Sequence, residues 1–390
     1  MERIGIYGGT FNPPHIGHIR AAEQAICALK LDKLLLIPDR IAPHKVLPGN
    51  SPTPEQRLQM LRLCVRHPNM EVSDIELRRQ SVSYTYMTVE QLRLEYPGAQ
   101  LFLLMGTDMF LSFLTWREPE RILKNVTLAV LCRGNRDEKA AIAAQKRTIE
   151  SMGFSVELVD NDVTAISSTQ LRRLLAFDCA DSFLPDGVGD YIRRSGLYDT
   201  AANWKNLPVD KLEQVVTGLL NPNRIAHVLG CRDTAVELAR HWGADETDAA
   251  RAGLLHDITK ALDGPLQLTL CDRYGKILSE FSKKYPKTLH ALTGSLVARE
   301  IFGENENVVS AICHHTTGRA NMTLLEKIVY VADYMEPNRR IPGVERLRQL
   351  AFTDLDAALK LGLEMTLEHL NRQGSEVSPE SREALAWLNR

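Results

Sequence analysis

The chain has 390 residues, 44% hydrophobic and 25% charged, which is globular composition and excludes a largely disordered protein. Its 47 basic and 49 acidic side chains give a formal charge of −2, so no basic excess points to nucleic acid or to an anionic membrane surface. Seven scattered cysteines, without a C-x-x-C pair, exclude a disulfide framework and a zinc ribbon and fit a reducing, cytoplasmic setting.

Met1 leads straight into the strand-like run Arg3–Tyr7 with no basic, cleavable leader, and no apolar run approaches the ~18 residues that cross a bilayer. Strands are predicted at Ile4–Tyr7, Lys33–Pro38, Met70–Leu77, Leu101–Met105, Thr127–Cys132 and Ser155–Val159. Helical periods at Ile19–Leu29, Thr53–Val65, Thr85–Leu94 and Glu138–Met152 separate them. Val/Ile/Leu-rich strands spaced by helices predict an α/β unit with a mostly parallel sheet covered on both faces. The alternation stops after Tyr198, and the aperiodic stretch 199–208 is placed as a linker between domains 1–198 and 209–390. The second domain is expected to be all-α. Its apolar positions Ile225, Val228, Cys231, Ala235, Leu238 and Trp242 step by three or four, and similar stripes recur at Ala249–Leu255, Leu289–Ile301, Leu324–Tyr334, Phe352–Leu370 and Glu380–Leu388.

The opening strand runs into Gly8-Gly9-Thr10-Phe11-Asn12-Pro13-Pro14-His15-Ile16-Gly17-His18, and a helix follows. A strand, a glycine turn and a helix start form a natural anion site, because backbone N–H groups approach the ligand closely and the helix dipole favours phosphate. The string is neither G-x-G-x-x-G nor a P-loop, which argues against dehydrogenase and Walker-type readings. His15 and His18 at the mouth of the turn can donate to charge that develops in phosphoryl chemistry. Asp108 lies just past the fourth main strand, where strand ends open into a ligand crevice, and could hold a ribose hydroxyl.

This constellation resembles the nucleotidylyltransferase superfamily, whose H-x-G-H motif is His15–His18 here, and more narrowly the bacterial nicotinate-nucleotide adenylyltransferases. The pieces that carry the likeness are Gly8–His18, Pro43-His44-Lys45, Ser83-Tyr84-Thr85, Gly106-Thr107-Asp108, Trp116, Ile166-Ser167-Ser168-Thr169 with Arg172, and Val188–Tyr198. Asn12 stands where that family often has Asp. The resemblance implies a Rossmann-like fold and in-line attack by a mononucleotide phosphate on the α-phosphorus of ATP, with Mg²⁺ carried by the ATP. No nucleophilic side chain is needed. It further implies catalytic roles for His15, His18 and Lys45, with substrate contacts from Gly8, Gly9, Thr10, Phe11, Gly106, Asp108, Arg133, Ser167, Ser168, Thr169 and Arg172. Trp116 would stack on the pyridine ring and Thr85 would meet its carboxylate; the structural alternatives are a core-edge tryptophan and a helix-capping threonine.

Seven of the eleven histidines fall in the second half. His227, His256-Asp257, His290, His314-His315 and Asp333 sit inside or beside apolar helical stretches, where such groups are costly to bury without a metal or hydrogen bonds. Imidazole with carboxylate, and no cysteine, suits Fe, Mn, Co or Zn rather than a structural zinc. The order H…HD…H…HH…D resembles the HD-domain metal-dependent phosphohydrolases. Within them, Arg224–His227, Ala252–Lys260, His315–Arg319 and Lys327–Arg339 are similar to bacterial symmetrical diadenosine tetraphosphate hydrolases. That likeness implies one ion at His227, His256, Asp257 and Asp333, and a second at Asp257, His290 and His315, with His314 as a further candidate; iron is favoured over Mn or Co. Asp257 would be catalytic, and Arg224, Lys260, Arg319 and Arg339 would meet the polyphosphate beside His290 and His315. Ser378-Pro379 stands where relatives have His-Pro. His241 and His369 read as surface residues.

The expected partners are thus ATP, nicotinate mononucleotide and diadenosine tetraphosphate, without nucleic acid or membrane; a homo-oligomer is compatible with the sequence. Two alternatives stay open: an adenylyltransferase for another phosphate ester fused to a different phosphohydrolase, and a second domain that senses metal and nucleotide without catalysis.

Overall fold

Val-, Ile- and Leu-rich runs make poor surface and good buried strand, and in the first half they form one parallel sheet. Its strands are β1 (Arg3–Gly9), β2 (Lys33–Pro38), β3 (Met70–Val72), β4 (Gln100–Gly106), β5 (Thr127–Cys132) and β6 (Val156–Asp160). The order is β3-β2-β1-β4-β5-β6 in the computed structural model, which describes residues 1–41, 47–79, 82–132, 138–161 and 166–390. Every pairing is parallel, so all six strands deliver their carboxyl ends to one edge, and the order reverses between β1 and β4.

Both faces of the sheet are buried, as strict alternation along the strands shows. Ile4, Ile6, Leu35, Ile37, Leu101, Leu103, Leu128 and Val130 enter one core. Leu34, Leu36, Phe102, Leu104, Ala129 and Leu131 enter the other. Helices α1 (Ile16–Leu29), α2 (Pro54–Cys64), α3 (Thr85–Glu95), α4 (Thr107–Leu111), α5 (Pro119–Leu123), α6 (Lys139–Ser151), α7 (Ser168–Ala176) and α8 (Val188–Arg194) connect and cover the strands. Helix α1 packs Ala21, Ala22, Ala25, Ile26 and Leu29 on the second core, while α3 gives Val89 and Leu92 and α6 gives Ile142 and Ile149 to the first.

The predicted strand Met70–Leu77 is shorter than expected. After Val72 the chain turns: the Ser73 hydroxyl accepts the Ile75 N–H at 3.4 Å, and the Asp74 carbonyl accepts the N–H groups of Leu77 and Arg78. Ser-Asp turn chemistry overrides the apolar character of Ile75 and Leu77, which are buried from the turn instead.

The chain divides into two units, Met1–Ala202 and Asn203–Arg390. The second is helical: α9 (Val209–Leu219), α10 (Pro222–Trp242), α11 (Glu246–Leu255), α12 (Gly264–Arg273), α13 (Glu280–Lys284), α14 (Leu289–Glu300), α15 (Glu306–His314), α16 (Leu324–Met335), α17 (Val344–Ala351), α18 (Leu355–Arg372) and α19 (Pro379–Leu388). Helix α10 lies along α11 and α16, and α15 lies against α14, α11 and α16. This packing brings one end of each of five helices together. Among the described residues, no helix is long and apolar enough to cross a membrane.

Candidate active sites

In the first unit, β1 ends at Gly8-Gly9 and the chain enters α1 through a turn capped by His15. The His15 backbone N–H donates to His18 Nδ1 at 3.2 Å. That bond assigns the lone pair of a neutral His18 to Nδ1 and its proton to Nε2, which makes the far side of the ring a donor. The two imidazoles lie against each other, with centroids 3.7 Å apart at 32°, and Phe11 packs edge-on to His18 at 5.1 Å.

The turn is anchored from several directions. Arg57, buried at 1% exposure, donates to the Thr10 carbonyl at 2.6 Å and pairs with Asp39, which also accepts from the Thr10 hydroxyl at 2.7 Å. Arg172 donates to the Asn12 carbonyl at 2.8 Å, and Ser168 Oγ donates to the Pro13 carbonyl at 3.3 Å. The Asn12 side chain accepts from the Tyr198 hydroxyl at 2.7 Å and donates to Ser51 Oγ at 3.1 Å. Arg57, Asp39 and Ser51 carry no motif of their own, and only their place in the fold reveals them, whereas Tyr198 closes the Val188–Tyr198 segment of the family likeness and its contact with Asn12 is what the fold adds.

Several of the remaining candidates follow strand ends in the chain. Gly106 ends β4 beside β1, and exposed Asp108 lies in the first turn of α4. Thr85 is the first residue of α3. The Trp116 ring packs on buried Phe113 at 5.3 Å and keeps part of its surface exposed. The hydroxyls at the start of α7 are already in use. Ser167 caps Gln170, Ser168 holds the turn, and Thr169 accepts from Arg172 at 3.0 Å. Lys45 and Arg133 lie outside the described residues.

In the second unit, His227 projects from α10, His256 caps the end of α11 with Asp257 next to it, His290 begins α14, His315 caps α15, and Asp333 lies in the last turn of α16. Around one point, His227 Nε2 is 3.3 Å from His256 Nε2 and 3.1 Å from Asp333 Oδ1, while Asp257 Oδ2 lies 3.7 and 3.6 Å from the two ring nitrogens. The other oxygen of the same carboxylate, Asp257 Oδ1, lies 3.4 Å from His290 Nε2 and 3.8 Å from His315 Nε2, and these two rings approach within 3.3 Å. Asp257 thus faces an imidazole pair on each side.

The outward ring nitrogens explain why the inward ones are ligand-like. His227 Nδ1 lies 3.0 Å from Glu336 Oε1, His256 Nδ1 is 2.7 Å from the Gly253 carbonyl, and His315 Nδ1 is 2.7 Å from the Ile312 carbonyl. Each acceptor holds a proton on Nδ1 and turns the Nε2 lone pair inward. Burial pushes the pKa of His256 and of His315 down, which keeps both rings neutral. Burial opposes charge on Asp333 too, but its contact with the His227 ring and its pairing with the Arg339 guanidinium outweigh it and hold the carboxyl well below its usual range. Neutral imidazoles and ionised carboxylates in one cavity are the donor set a divalent ion requires, and His227, His256 and Asp333, like His256, Asp257 and His315, fit one.

Cations ring this centre. Arg224 pairs with Asp257, Arg339 with Asp333 at 2.8 Å, and Lys260 Nζ lies 2.9 Å from His290 Nε2. Burial pushes Lys260 down to about 8. One expectation needs correction. His314 turns away from the centre, its Nδ1 lying 2.9 Å from the Ser310 carbonyl and 3.4 Å from Glu326, because α15 continues through it and only His315 sits where the helix ends. Arg319 is drawn to the same buried Glu326, through Nε at 3.1 Å and Nη2 at 3.0 Å, which makes it first an anchor of α16. Glu336 and the Thr316 hydroxyl, 3.1 Å from His315 Nε2, are additions. Glu336 was legible as a carboxylate one helical turn beyond Asp333; Thr316 had no such signal. Ser378 caps α19. His241 and His369 are exposed.

The folds and sites define a nucleotidyltransferase-like unit followed by an HD-domain unit. A cytidylyltransferase-like family model matches residues 6–174, and an HD-domain model matches residues 224–338. A protein named "Probable nicotinate-nucleotide adenylyltransferase" from Geobacter metallireducens is 37% identical over 212 residues, which cover 50% of this chain and 98% of that protein. A symmetrical bis(5'-nucleosyl)-tetraphosphatase from Bacillus subtilis is 39% identical over 170 residues, 43% of this chain and 91% of that protein. A crystal structure of a "predicted HD superfamily hydrolase involved in NAD metabolism" from Clostridium acetobutylicum is 38% identical, covers 47% of this chain and 97% of its own, and has a TM-score of 0.46. The chain belongs to the nicotinate-nucleotide adenylyltransferase family and, through its HD domain, to the symmetrical bis(5'-nucleosyl)-tetraphosphatases.

Proposed function

We propose that the chain is a bifunctional enzyme. The first unit transfers AMP from ATP to nicotinate mononucleotide, giving nicotinate adenine dinucleotide and pyrophosphate, and the second hydrolyses diadenosine tetraphosphate to two ADP. In the first unit, the observation that carries the reading is the anchored Gly8–His18 turn with its His15–His18 pair. Backbone amides from Gly8 to Phe11 cradle the phosphates of Mg²⁺-ATP, and His18 Nε2–H donates to the α-phosphate as negative charge builds on it. His15 donates further along the phosphate chain, and Lys45, Arg133, Arg172 and the amides of Ser167–Thr169 offset the charge of the departing pyrophosphate. Gly106 and Asp108 seat a ribose, Trp116 stacks on the pyridine and Thr85 meets its carboxylate. Rate enhancement comes from alignment and electrostatics.

In the second unit, the carrying observation is the Asp257 carboxylate shared between two imidazole pairs. His227, His256, Asp257 and Asp333 would hold one divalent ion, with Asp257, His290 and His315 able to hold another; iron is favoured for this nitrogen and oxygen set, ahead of manganese or cobalt. Such an ion supplies an activated water and charge neutralisation at an inner phosphorus. Arg224, Lys260 and Arg339 then exchange their contacts with Asp257, His290 and Asp333 for the phosphate oxygens, and Arg319 stands behind them on Glu326. The full chain tests both halves at once: His18→Ala should abolish dinucleotide formation and spare ADP release, and His256→Ala should do the reverse. Loss of both products in either variant, or of neither, refutes the assignment.

A further inference from the structure

The segment that ends the first unit is bent in an unusual way. Gly196, Tyr198 and Asp199 all have positive φ, at 58°, 56° and 61°, and two of the three carry side chains that rarely adopt this conformation. Strain of that kind persists only where other contacts enforce it. Here it carries the Tyr198 ring inward to 4% exposure, where its hydroxyl donates to the side chain of Asn12, itself 2% exposed. Asp199 in turn pairs with Asn50, next to the Ser51 that Asn12 also reaches. At the other end of the contact, Phe11 has φ 48°, so one left-handed turn meets another.

We infer that Tyr198 is a positioning residue of the adenylyl-transfer site, its hydroxyl holding Asn12 and thereby the segment that carries His15 and His18; the inference rests on the adenylyl-transfer reading above. Asn12 stands three residues before His15, and its side chain and carbonyl are both claimed, by Tyr198 and by Arg172. The two rings are set by a backbone-to-ring bond inside the turn, so a drift of Asn12 misaims the His18 donor without removing any group that touches substrate. A misaimed donor that acts on developing charge lowers kcat more than it weakens ground-state binding.

Tyr198→Phe removes the hydroxyl and keeps the ring. Its kcat for dinucleotide formation should fall about tenfold, as for one net hydrogen bond, with KM for nicotinate mononucleotide within about twofold. Asn12→Leu should show the same split, and the double variant should lose no more than the worse single one, because both changes cut the same bond. With histidine-selective ¹⁵N labelling of the full chain, Tyr198→Phe should displace the ring signals assigned to His15 and His18. An unchanged kcat, losses that multiply in the double variant, or kcat and both KM values deteriorating together with the unfolding midpoint would overturn the inference, the last outcome marking a purely structural bond. If the unaltered chain makes no dinucleotide, the adenylyl-transfer reading falls, and the ring signals alone decide the positioning: displaced signals uphold it and unmoved signals overturn it.

Discussion

Replacing Glu336 with Gln changes one atom behind the metal-type centre, and the structure fixes what that change must do. Glu336 is 1% exposed; its Oε1 faces His227 Nδ1 at 3.0 Å, while its Oε2 accepts the Asn338 backbone N–H at 2.7 Å and the Asn338 side-chain amide at 2.9 Å. Both oxygens are acceptors, and glutamine has only one to offer. If the new NH₂ faces Asn338, donors oppose donors in a buried pocket, at a cost of about 1–3 kcal/mol. If it faces His227, the ring must accept at Nδ1, its proton moves to Nε2, and the lone pair aimed at His256 and Asp333 is lost. Either route lowers divalent-ion affinity, by about 10- to 100-fold on the scale of such outer contacts. Competition between the purified chain and a calibrated chelator for Mn²⁺ measures this directly, with the thermal midpoint recorded alongside. An affinity within about twofold of the unaltered chain, in a folded variant, would refute the reasoning.

Three further outcomes follow from the same contacts. A Cβ on Gly253 would stand 2.7 Å from the Arg232 backbone, so Gly253→Ala should destabilise the helical unit by about 1–3 kcal/mol, whereas Gly218→Ala on open α9 should be neutral or stabilising by up to ~1 kcal/mol; urea unfolding distinguishes them. Trp116→Ala should raise KM for nicotinate mononucleotide more than KM for ATP, and equal increases would leave Trp116 as packing for Phe113 alone. Burial works to raise the Glu326 carboxyl, but hydrogen bonds from His314, Ser310, the Thr323 N–H and Arg319 outweigh it and bring it from 4.5 down to about 2. A depressed carboxylate stabilises above its unfolded value and loses that contribution as pH falls from about 4.5 toward 2, here about 3 kcal/mol. Acid unfolding of Glu326→Gln should accordingly depend less steeply on pH than that of the unaltered chain.

The sequence made the sheet and the ligand set legible for different reasons. Strands such as Lys33–Pro38 and Thr127–Cys132 are apolar on both faces and stop at turn formers, so their ends are readable. Helix α12 escaped because its cap Asp263 and its first residues Gly264-Pro265 look like a turn, although Pro early in a helix is favourable. His256-Asp257 was recognisable because a charged pair closing an apolar run demands compensation. The choice between His314 and His315 was not, since adjacent residues on a helix point about 100° apart and the helix end decides which one faces the cavity. Arg57 was invisible for a related reason, its partner lying 47 residues away, and although Tyr198 stood in the Val188–Tyr198 segment, its bond to Asn12, 186 residues away, is encoded by no local pattern.

The second centre draws its donors from α10, the ends of α11 and α15, the start of α14, and α16. Divalent ions seated there would act as rivets through helices that otherwise meet through packing and a few polar contacts such as Ser310–Glu326 and His227–Glu336, and removing them would loosen these helices together. Resistance to a protease therefore becomes a gauge of metal loading: chelated protein should be nicked within the helical unit while the sheet unit survives intact.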